Sequence, residues 1–242
     1  MIFSVHIPKT AGTSFRNALK SRYGDRLALY YGARDKATHP LLRVPRQDLA
    51  SRIPLLEEHG IEVLHGHYYL RLVKDAVDDP STQIWTWLRD PLERVWSHYS
   101  FIKERKTKWS FDKEIKAGQL SLIEFAKKKR IRNMYAEYLH GFELKDLAFV
   151  GVSERFELGL AMLFGDGAPK LPRRYNAVHK RVALDARTRA QLRAVTRRDE
   201  DLYVEALRMT IDRLASLNAI ETHERPAAAG TDIVRRLIRK VS

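Results

Sequence analysis

The sequence predicts a three-layer α/β domain built around a central, mostly parallel β-sheet. Three observations point there. Short apolar runs alternate with stretches of helical character along most of the chain. The first run, residues 2–7, passes through a Pro- and Gly-containing loop into a helix start, a strand–loop–helix unit. A second junction of the same kind follows residues 83–88, where Arg89-Asp90-Pro91 closes an apolar run.

The elements follow in order. Residues 2–7 read as a strand buried at the sheet centre, and Thr13 or Ser14 as the cap of a helix whose apolar side includes Phe15, Ala18 and Leu19. Residues 27–31 form a second strand candidate, and residues 32–45 carry no clear pattern. Residues 49–58 look helical, and residues 61–64 read as a short strand ending at His65-Gly66-His67. Residues 83–88 are the next strand, after which Pro91 suits a first helical turn and residues 92–102 continue it. Residues 101–132 hold 11 basic and four acidic residues, which predicts one or two helices with a wet, positive face and Leu122, Phe125 and Ala126 turned inward. A late strand over 147–152 precedes a helix over 154–163, a Gly- and Pro-rich loop over 165–175, and one long helix or two joined ones over 185–217. These elements make a single domain over residues 1–221. Residues 222–242 then read as a linker, with Pro226 and Gly230, followed by a short basic amphipathic segment.

Composition bounds the function more loosely. The chain has 242 residues, 44% hydrophobic and 31% charged, which suits one domain with a sizeable core and argues against wholesale disorder. It has no cysteine, so disulfides, thiolate zinc sites and cysteine nucleophiles are excluded. A formal charge of +14 favours phosphate, sulfate, nucleic acid or anionic lipid without choosing among them. No run reaches the roughly 20 apolar residues of a membrane span. The segment after Met1 lacks the basic start and small-residue cleavage site of a signal peptide, so a cytoplasmic enzyme is expected.

The sharpest motif is His6-Ile7-Pro8-Lys9-Thr10-Ala11-Gly12-Thr13-Ser14-Phe15. A strand end puts Pro8 and Lys9 at the carboxyl edge of the sheet, Gly12 allows a tight turn, and the amides near Thr13 and Ser14 open a helix N-terminus that favours anions. Lys9 can reach the same anion, and Thr10, Thr13 and Ser14 can donate hydroxyl hydrogen bonds. The ordinary reading is a capped loop with a lysine in it. A Walker A loop needs its lysine after the second glycine, whereas Lys9 precedes Gly12, which disfavours a kinase working on Mg-ATP.

A second motif runs from Thr86 through Arg89-Asp90-Pro91 to Ser97, His98 and Tyr99. Arg89 offers a planar fork of donors for phosphate, and Ser97, eight residues on, a neutral donor. The alternatives are an ion pair of Arg89 with Asp90 or Glu93, and a helix-surface role for Ser97. Arg94 can simply tie its helix to a neighbouring loop. Trp87, Trp96 and Tyr99 could wall an adenine, although core packing suits at least two of them.

His65-Gly66-His67 follows a predicted strand, and a histidine is suited to taking a proton from an alcohol near neutral pH. The two rings are expected to point in opposite directions if the strand continues, and a turn could make both accessible. Two histidines also raise a metal site, for which the sequence has no third ligand at characteristic spacing.

The two loop motifs together resemble the PAPS-dependent sulfotransferases (PAPS is 3′-phosphoadenosine-5′-phosphosulfate), closest in style to carbohydrate sulfotransferases of the heparan sulfate 2-O type. The resemblance spreads over roughly residues 2–210 and implies a P-loop-like fold. It implies that Lys9 contacts the phosphosulfate and stabilises the departing oxygen. Thr10, Gly12, Thr13 and Ser14, with Pro8 and Ala11, would surround the 5′ phosphate. Arg89 and Ser97 would hold the 3′ phosphate, and Arg174 would belong to a strap near the nucleotide. His67 would be the general base, with His65 its assistant or the alternative base. PAPS would be the donor and PAP the product, with no metal required, and the acceptor a hydroxyl on a carbohydrate or glycoconjugate. The segments around Val150 and Asp199-Glu200-Asp201 resemble the family's later strand and terminal helix and fit scaffold roles equally. The strap around Arg173-Arg174 departs from the Arg-Lys-Gly pattern of small-molecule members. Asn133 and Tyr135 could line the acceptor side or simply pack.

Two other functions fit the charge: a P-loop nucleotide kinase, and a noncatalytic nucleic-acid-binding protein, for which no recognisable nucleic-acid-binding motif is present. The basic region 101–132 could meet an acidic glycan or be a solvated face. Arg235, Arg236, Arg239 and Lys240 could give peripheral contact with an anionic membrane.

Overall fold

The computed structural model describes residues 1–105, 111–169 and 184–223, the last six of them by backbone alone. Five parallel strands form one sheet in the order β2-β3-β1-β4-β5: β1 Ile2–Val5, β2 Leu27–Tyr30, β3 Val63–Gly66, β4 Gln83–Leu88 and β5 Phe149–Val152. β1 lies at the centre, with Val5 opposite Gly66 on one side and Thr86 on the other. Parallel strands flanked by helices bury both faces, which is why these runs are mostly apolar and, Gln83 apart, largely buried.

Helices cover both faces. α1 (Gly12–Tyr23) lays Phe15, Ala18 and Leu19 on the face carrying Leu29, Val63, Trp85 and Trp87, joined from the β5 side by Leu160 of a later helix. The other face, with Phe3, Val5, Leu64 and Leu88, receives Ile53 and Leu56 of α2 (Ile53–Glu58) and Val95 and Ile102 of a helix after β4. The remaining elements are α3 (Lys74–Val77), α4 (Pro91–Glu104), α5 (Asp112–Lys116), α6 (Leu122–Lys127), α7 (Met134–Tyr138), α8 (Phe156–Phe164) and α9 (Ala186–His223). The result is a general Rossmann-like architecture.

The expected elements need several corrections. β1 ends at Val5, although the His6 N–H still bonds Gly66 O at 2.8 Å. β3 is 63–66 rather than 61–64, because the Ile61 N–H turns back to Leu56 O at 2.9 Å to close α2. His65 and Gly66 therefore lie inside the strand. The helix expected over 49–58 is one 3₁₀ turn, Ala50–Arg52, followed by α2: Pro54 has no N–H to extend a helix backwards and is tolerated only in the first turn. A 3₁₀ turn, Ser153–Arg155, precedes α8. In the basic region α5 and α6 form with Phe125 and Ala126 fully buried, and a Ser121–Glu124 capping box starts α6. The stretch expected as one helix or two over 185–217 lies in one helix, α9, which runs from Ala186 to His223. Arg173, Arg174 and the C-terminal basic segment lie outside the described residues. Among those described, no helix is long and apolar enough to cross a membrane.

The chain leaves β1 toward β2 on one side of the sheet and leaves β4 toward β5 on the other. Where neighbouring strands diverge in this way a crevice opens at their carboxyl ends, and ligands of open α/β sheets bind there. The loops carrying Lys9 and Arg89 both start at this point.

Candidate functional site

The loop after β1 is strained into shape. Lys9 (φ 73°) and Ala11 (φ 68°) both have left-handed backbone, rare for residues with a side chain and costing of order 1–3 kcal/mol each. Ala11 is the residue preceding α1, so neither Thr13 nor Ser14 caps the helix; both sit within its first turn. A left-handed residue followed by a helical one turns successive N–H groups into a concavity. The first bond inside α1 runs from Phe15 N–H to Ala11 O at 3.0 Å, so the amides of Gly12, Thr13 and Ser14 open outward at the helix start. Thr10 is 1% exposed and donates its hydroxyl to Ile7 O at 2.9 Å, which makes it a brace of the loop.

Lys9 Nζ sits 4.2 Å from the centre of the Phe101 ring. Burial, then the nearby guanidinium of Arg89, pushes its pKa down to about 8. Arg89 Nη1 points to the Lys9 carbonyl at 3.5 Å and Nη2 to Glu93 Oε2 at 3.5 Å. The two loops thus meet, and Arg89 also makes the Glu93 pairing that sequence reasoning had set beside phosphate binding. Glu93, Ser97 and Phe101 recur every four residues on α4 and share one helix stripe, so Ser97 stands between the partner of Arg89 and the ring under Lys9. Ser97 is 3% exposed.

The backbone of Arg89 is held in place by Tyr135, whose hydroxyl accepts from Arg89 N–H at 3.2 Å and donates to Arg89 O at 2.5 Å. Tyr135 is fully buried and so packs under Arg89 rather than lining an open side. Arg94 is fully buried too: it donates to Ile131 O at 2.7 Å and lies 3.9 Å from Asp199 of α9. Asp199, pushed up to about 6 by burial, is a scaffold carboxylate. Asp90 accepts from Glu93 N–H at 2.9 Å as the cap of α4, and its own N–H goes to Glu154 beyond β5. Trp87 packs in the core between Phe15, Phe149 and Phe156, and Tyr99 donates to Leu120 O at 2.9 Å.

His65 and His67 need no turn to share a side, since residues two apart on an extended chain point the same way. Both pack against His6, His65 stacked at 5.2 Å and His67 tilted at 4.2 Å between ring centres. His65 is 1% exposed, its Nδ1 lies 2.8 Å from Ser4 Oγ, and its Nε2 is sealed beside the Gly12 backbone. Burial holds it at about 3. His67 is only partly buried. Its Nδ1 lies 2.6 Å from His6 O, and a carbonyl only accepts, so Nδ1 carries the proton and Nε2 presents a lone pair. Burial lowers His67 to about 4, so it is neutral at pH 7.

Several site residues escaped sequence reasoning. His6 is the ring that joins the histidines to the Lys9 loop. Tyr31 closes the cluster from the end of β2, 3.3 Å from His6 Nδ1, and Arg16 of α1 lies over the Tyr31 ring at 5.8 Å. Buried His98, one residue past Ser97, feels the charges of Arg94 and Lys9 and is held well below its ordinary range, chiefly by burial. Only His6 had a visible signal, as the first residue of the loop motif. Among the described residues no group of three or more His, Asp or Glu is arranged to hold a metal. No protein-family model matches the chain, and no curated protein matches it.

Proposed function

We propose that this chain is a PAPS-dependent sulfotransferase with a three-layer, P-loop-like fold, moving a sulfuryl group to a hydroxyl of a carbohydrate or glycoconjugate. The observation that supports this most is the approach of Arg89 to the carbonyl of Lys9 at 3.5 Å, which makes one cleft edge of the loops after β1 and β4. A donor with a phosphosulfate at one end and a 3′ phosphate at the other calls for two such joined cationic positions.

The residues present fit that donor. Lys9 and the open amides of Gly12, Thr13 and Ser14 suit the 5′ end. Arg89, with Ser97 on the same stripe of α4 as Glu93, suits the 3′ phosphate once Glu93 yields. PAPS supplies activated sulfur and a nucleotide leaving group. In this reading His67 Nε2 accepts the proton of the acceptor hydroxyl while its oxygen forms the new S–O bond. The S–O bond to the nucleotide breaks in line, its electron pair leaves on the 5′ phosphate of PAP, and Lys9 stands where that charge grows. His65, sealed and hydrogen-bonded to Ser4, fits an assistant that props the cluster rather than the base. The step balances without a metal or redox partner.

The test is transfer of label from PAPS to a panel of glycans, glycolipids and small alcohols, with PAP binding measured in the absence of magnesium. Lys9→Ala is expected to lose both binding and transfer. His67→Ala is expected to keep most PAP binding and lose transfer. Tight magnesium-dependent ATP binding with no PAP binding would sink the proposal.

A further inference from the structure

A base has to keep a proton on one ring nitrogen and aim the lone pair of the other at its substrate. In His67 the contact of Nδ1 with His6 O, at 2.6 Å, fixes one point of the ring. Rotation of an imidazole about its last bond is broad and roughly twofold, so one hydrogen bond leaves the plane loose and the flipped ring competes with it. Packing from the sides decides between them. The Tyr31 ring lies 4.9 Å from that of His67, with the two planes 78° apart, and the His6 ring lies 4.2 Å away in another direction. Tyr31 and His6 are themselves edge to face at 5.8 Å, so the three rings close a triangle.

Tyr31 is anchored as such a brace has to be. Its N–H donates to Thr38 Oγ1 at 2.9 Å, and that hydroxyl donates on to Gly32 O at 2.8 Å. Thr38 is 2% exposed, and the His39 N–H ties the same loop back to Leu29 O at 2.8 Å. The segment after β2, which carried no clear pattern in the sequence, is thus folded to hold one ring. Arg16 of α1 covers that ring, with its Nε buried and without an acceptor. The Tyr31 hydroxyl lies 3.3 Å from His6 Nδ1. Burial keeps His6 neutral and pushes the hydroxyl up to about 12, so the tyrosine keeps its proton and can donate it to that nitrogen.

We propose that Tyr31 is a positioning residue for His67. Its ring holds the plane of the His67 imidazole, and its hydroxyl steadies His6, whose carbonyl keeps the His67 proton on Nδ1 and leaves Nε2 free. Arg16 keeps the Tyr31 ring in its place. Tyr31 itself touches neither the donor nor the reacting atoms. That this arrangement serves a base rests on the sulfotransferase reading, while the ring plane and the tautomer do not.

The experiment records long-range proton–nitrogen NMR spectra of the full chain labelled with ¹⁵N-histidine, which show the nitrogen that bears each ring proton, and His67→Gln assigns the signal. Label transfer from PAPS and PAP binding are measured on the same samples. The unaltered chain is expected to hold His67 protonated on Nδ1. Tyr31→Phe keeps the ring and loses the hydroxyl, and should shift the tautomer part-way and slow transfer roughly two- to tenfold. Tyr31→Ala should give a mixture of tautomers and slow transfer by about tenfold or more, with the donor KM and PAP affinity within about twofold of the unaltered chain. An unaltered tautomer with full transfer in Tyr31→Ala overturns the inference. So does joint loss of PAP binding and transfer with the tautomer unaltered, which marks a merely structural residue. If Tyr31→Ala does not fold, an unaltered tautomer in Tyr31→Phe overturns it alike. A tautomer that depends on Tyr31 in a chain that ignores PAP would keep the positioning and remove the sulfotransferase reading.

Discussion

The imidazole of His6 occupies the space that a side chain on residue 12 would need: a β-carbon built on Gly12 would fall 1.9 Å from His6 Cδ2 and Nε2. The first prediction follows. Gly12→Ala must push His6 away from the rings of His65 and His67, at an overpacking cost of about 1–3 kcal/mol, and should weaken PAP binding with it. Thermal denaturation and PAP titration read both effects. The double variant with His6→Ala should recover most of the stability, because the clash has then lost its partner. Equal stability of Gly12→Ala and the unaltered chain would show that the ring is free to move.

Arg89 is held by Glu93 at 3.5 Å, an ion pair in which the two side chains are 26% and 32% exposed. A pair of this kind is worth roughly 0.2–1 kcal/mol, and an incoming phosphate has to displace the carboxylate. Glu93→Gln is therefore expected to tighten PAP binding by about two- to fivefold, while Arg89→Ala weakens it. Isothermal titration separates the two. Weaker binding in Glu93→Gln would mean that the carboxylate orients Arg89 for the ligand rather than competing with it.

The pH dependence of kcat/KM for the donor should be bell-shaped, since it reports the free enzyme. Lys9, lowered to about 8, loses its charge as pH rises through that value, so the alkaline limb falls near there. His67, lowered to about 4, becomes protonated and useless as a base only below that value, which sets the acid limb. Lys9→Arg should move the alkaline limb upward and leave the acid limb alone. An acid limb near 6.5 would indicate a base other than His67.

Stability should fall in acid well before the carboxylates titrate. His6, His65 and His98 are buried and all held below their ordinary pKa, chiefly by burial. A histidine whose folded pKa is depressed contributes stability that is complete above the unfolded value near 6.5 and is lost as pH falls toward the folded one. Each such ring contributes a slope of up to about 1.4 kcal/mol per pH unit in that window. Asp199, raised to about 6, opposes this over part of the window because its folded form takes up a proton first. Urea midpoints between pH 7 and pH 5 measure the sum, and a flat profile would contradict the burial of the cluster.

The parallel α/β order was legible because buried strands are short apolar runs, and the β4–α4 junction was read to the residue at Gln83–Leu88. Strand limits near His65 were not, since apolarity continues through Ile61 while hydrogen bonding starts later. Lys9 and Arg89 stood out because lysine and arginine at strand ends next to glycine or proline are chemically conspicuous. His6, Tyr31 and Arg16 come from separate elements and meet only through the sheet register, which no local pattern encodes. Tyr135 and Asp199 stood out as residues, but their contacts were illegible for the same reason: the partners are 46 and 64 residues away.

That long-range pair carries the last prediction. Arg94 and Asp199 are both fully buried, 3.9 Å apart, and Asp199 also accepts the N–H of Tyr135, whose hydroxyl fixes the backbone of Arg89. Removing one partner of a buried pair leaves an uncompensated charge and typically costs about 3–5 kcal/mol. Asp199→Ala should destabilise the fold on that scale. It should also weaken PAP binding through Arg89, although residue 199 touches no proposed ligand. Asp199→Asn retains an acceptor for the Tyr135 N–H and should rescue nucleotide affinity more fully than stability. If Asp199→Ala unfolds at a lower denaturant concentration yet binds PAP normally under native conditions, Tyr135 holds Arg89 without help from α9.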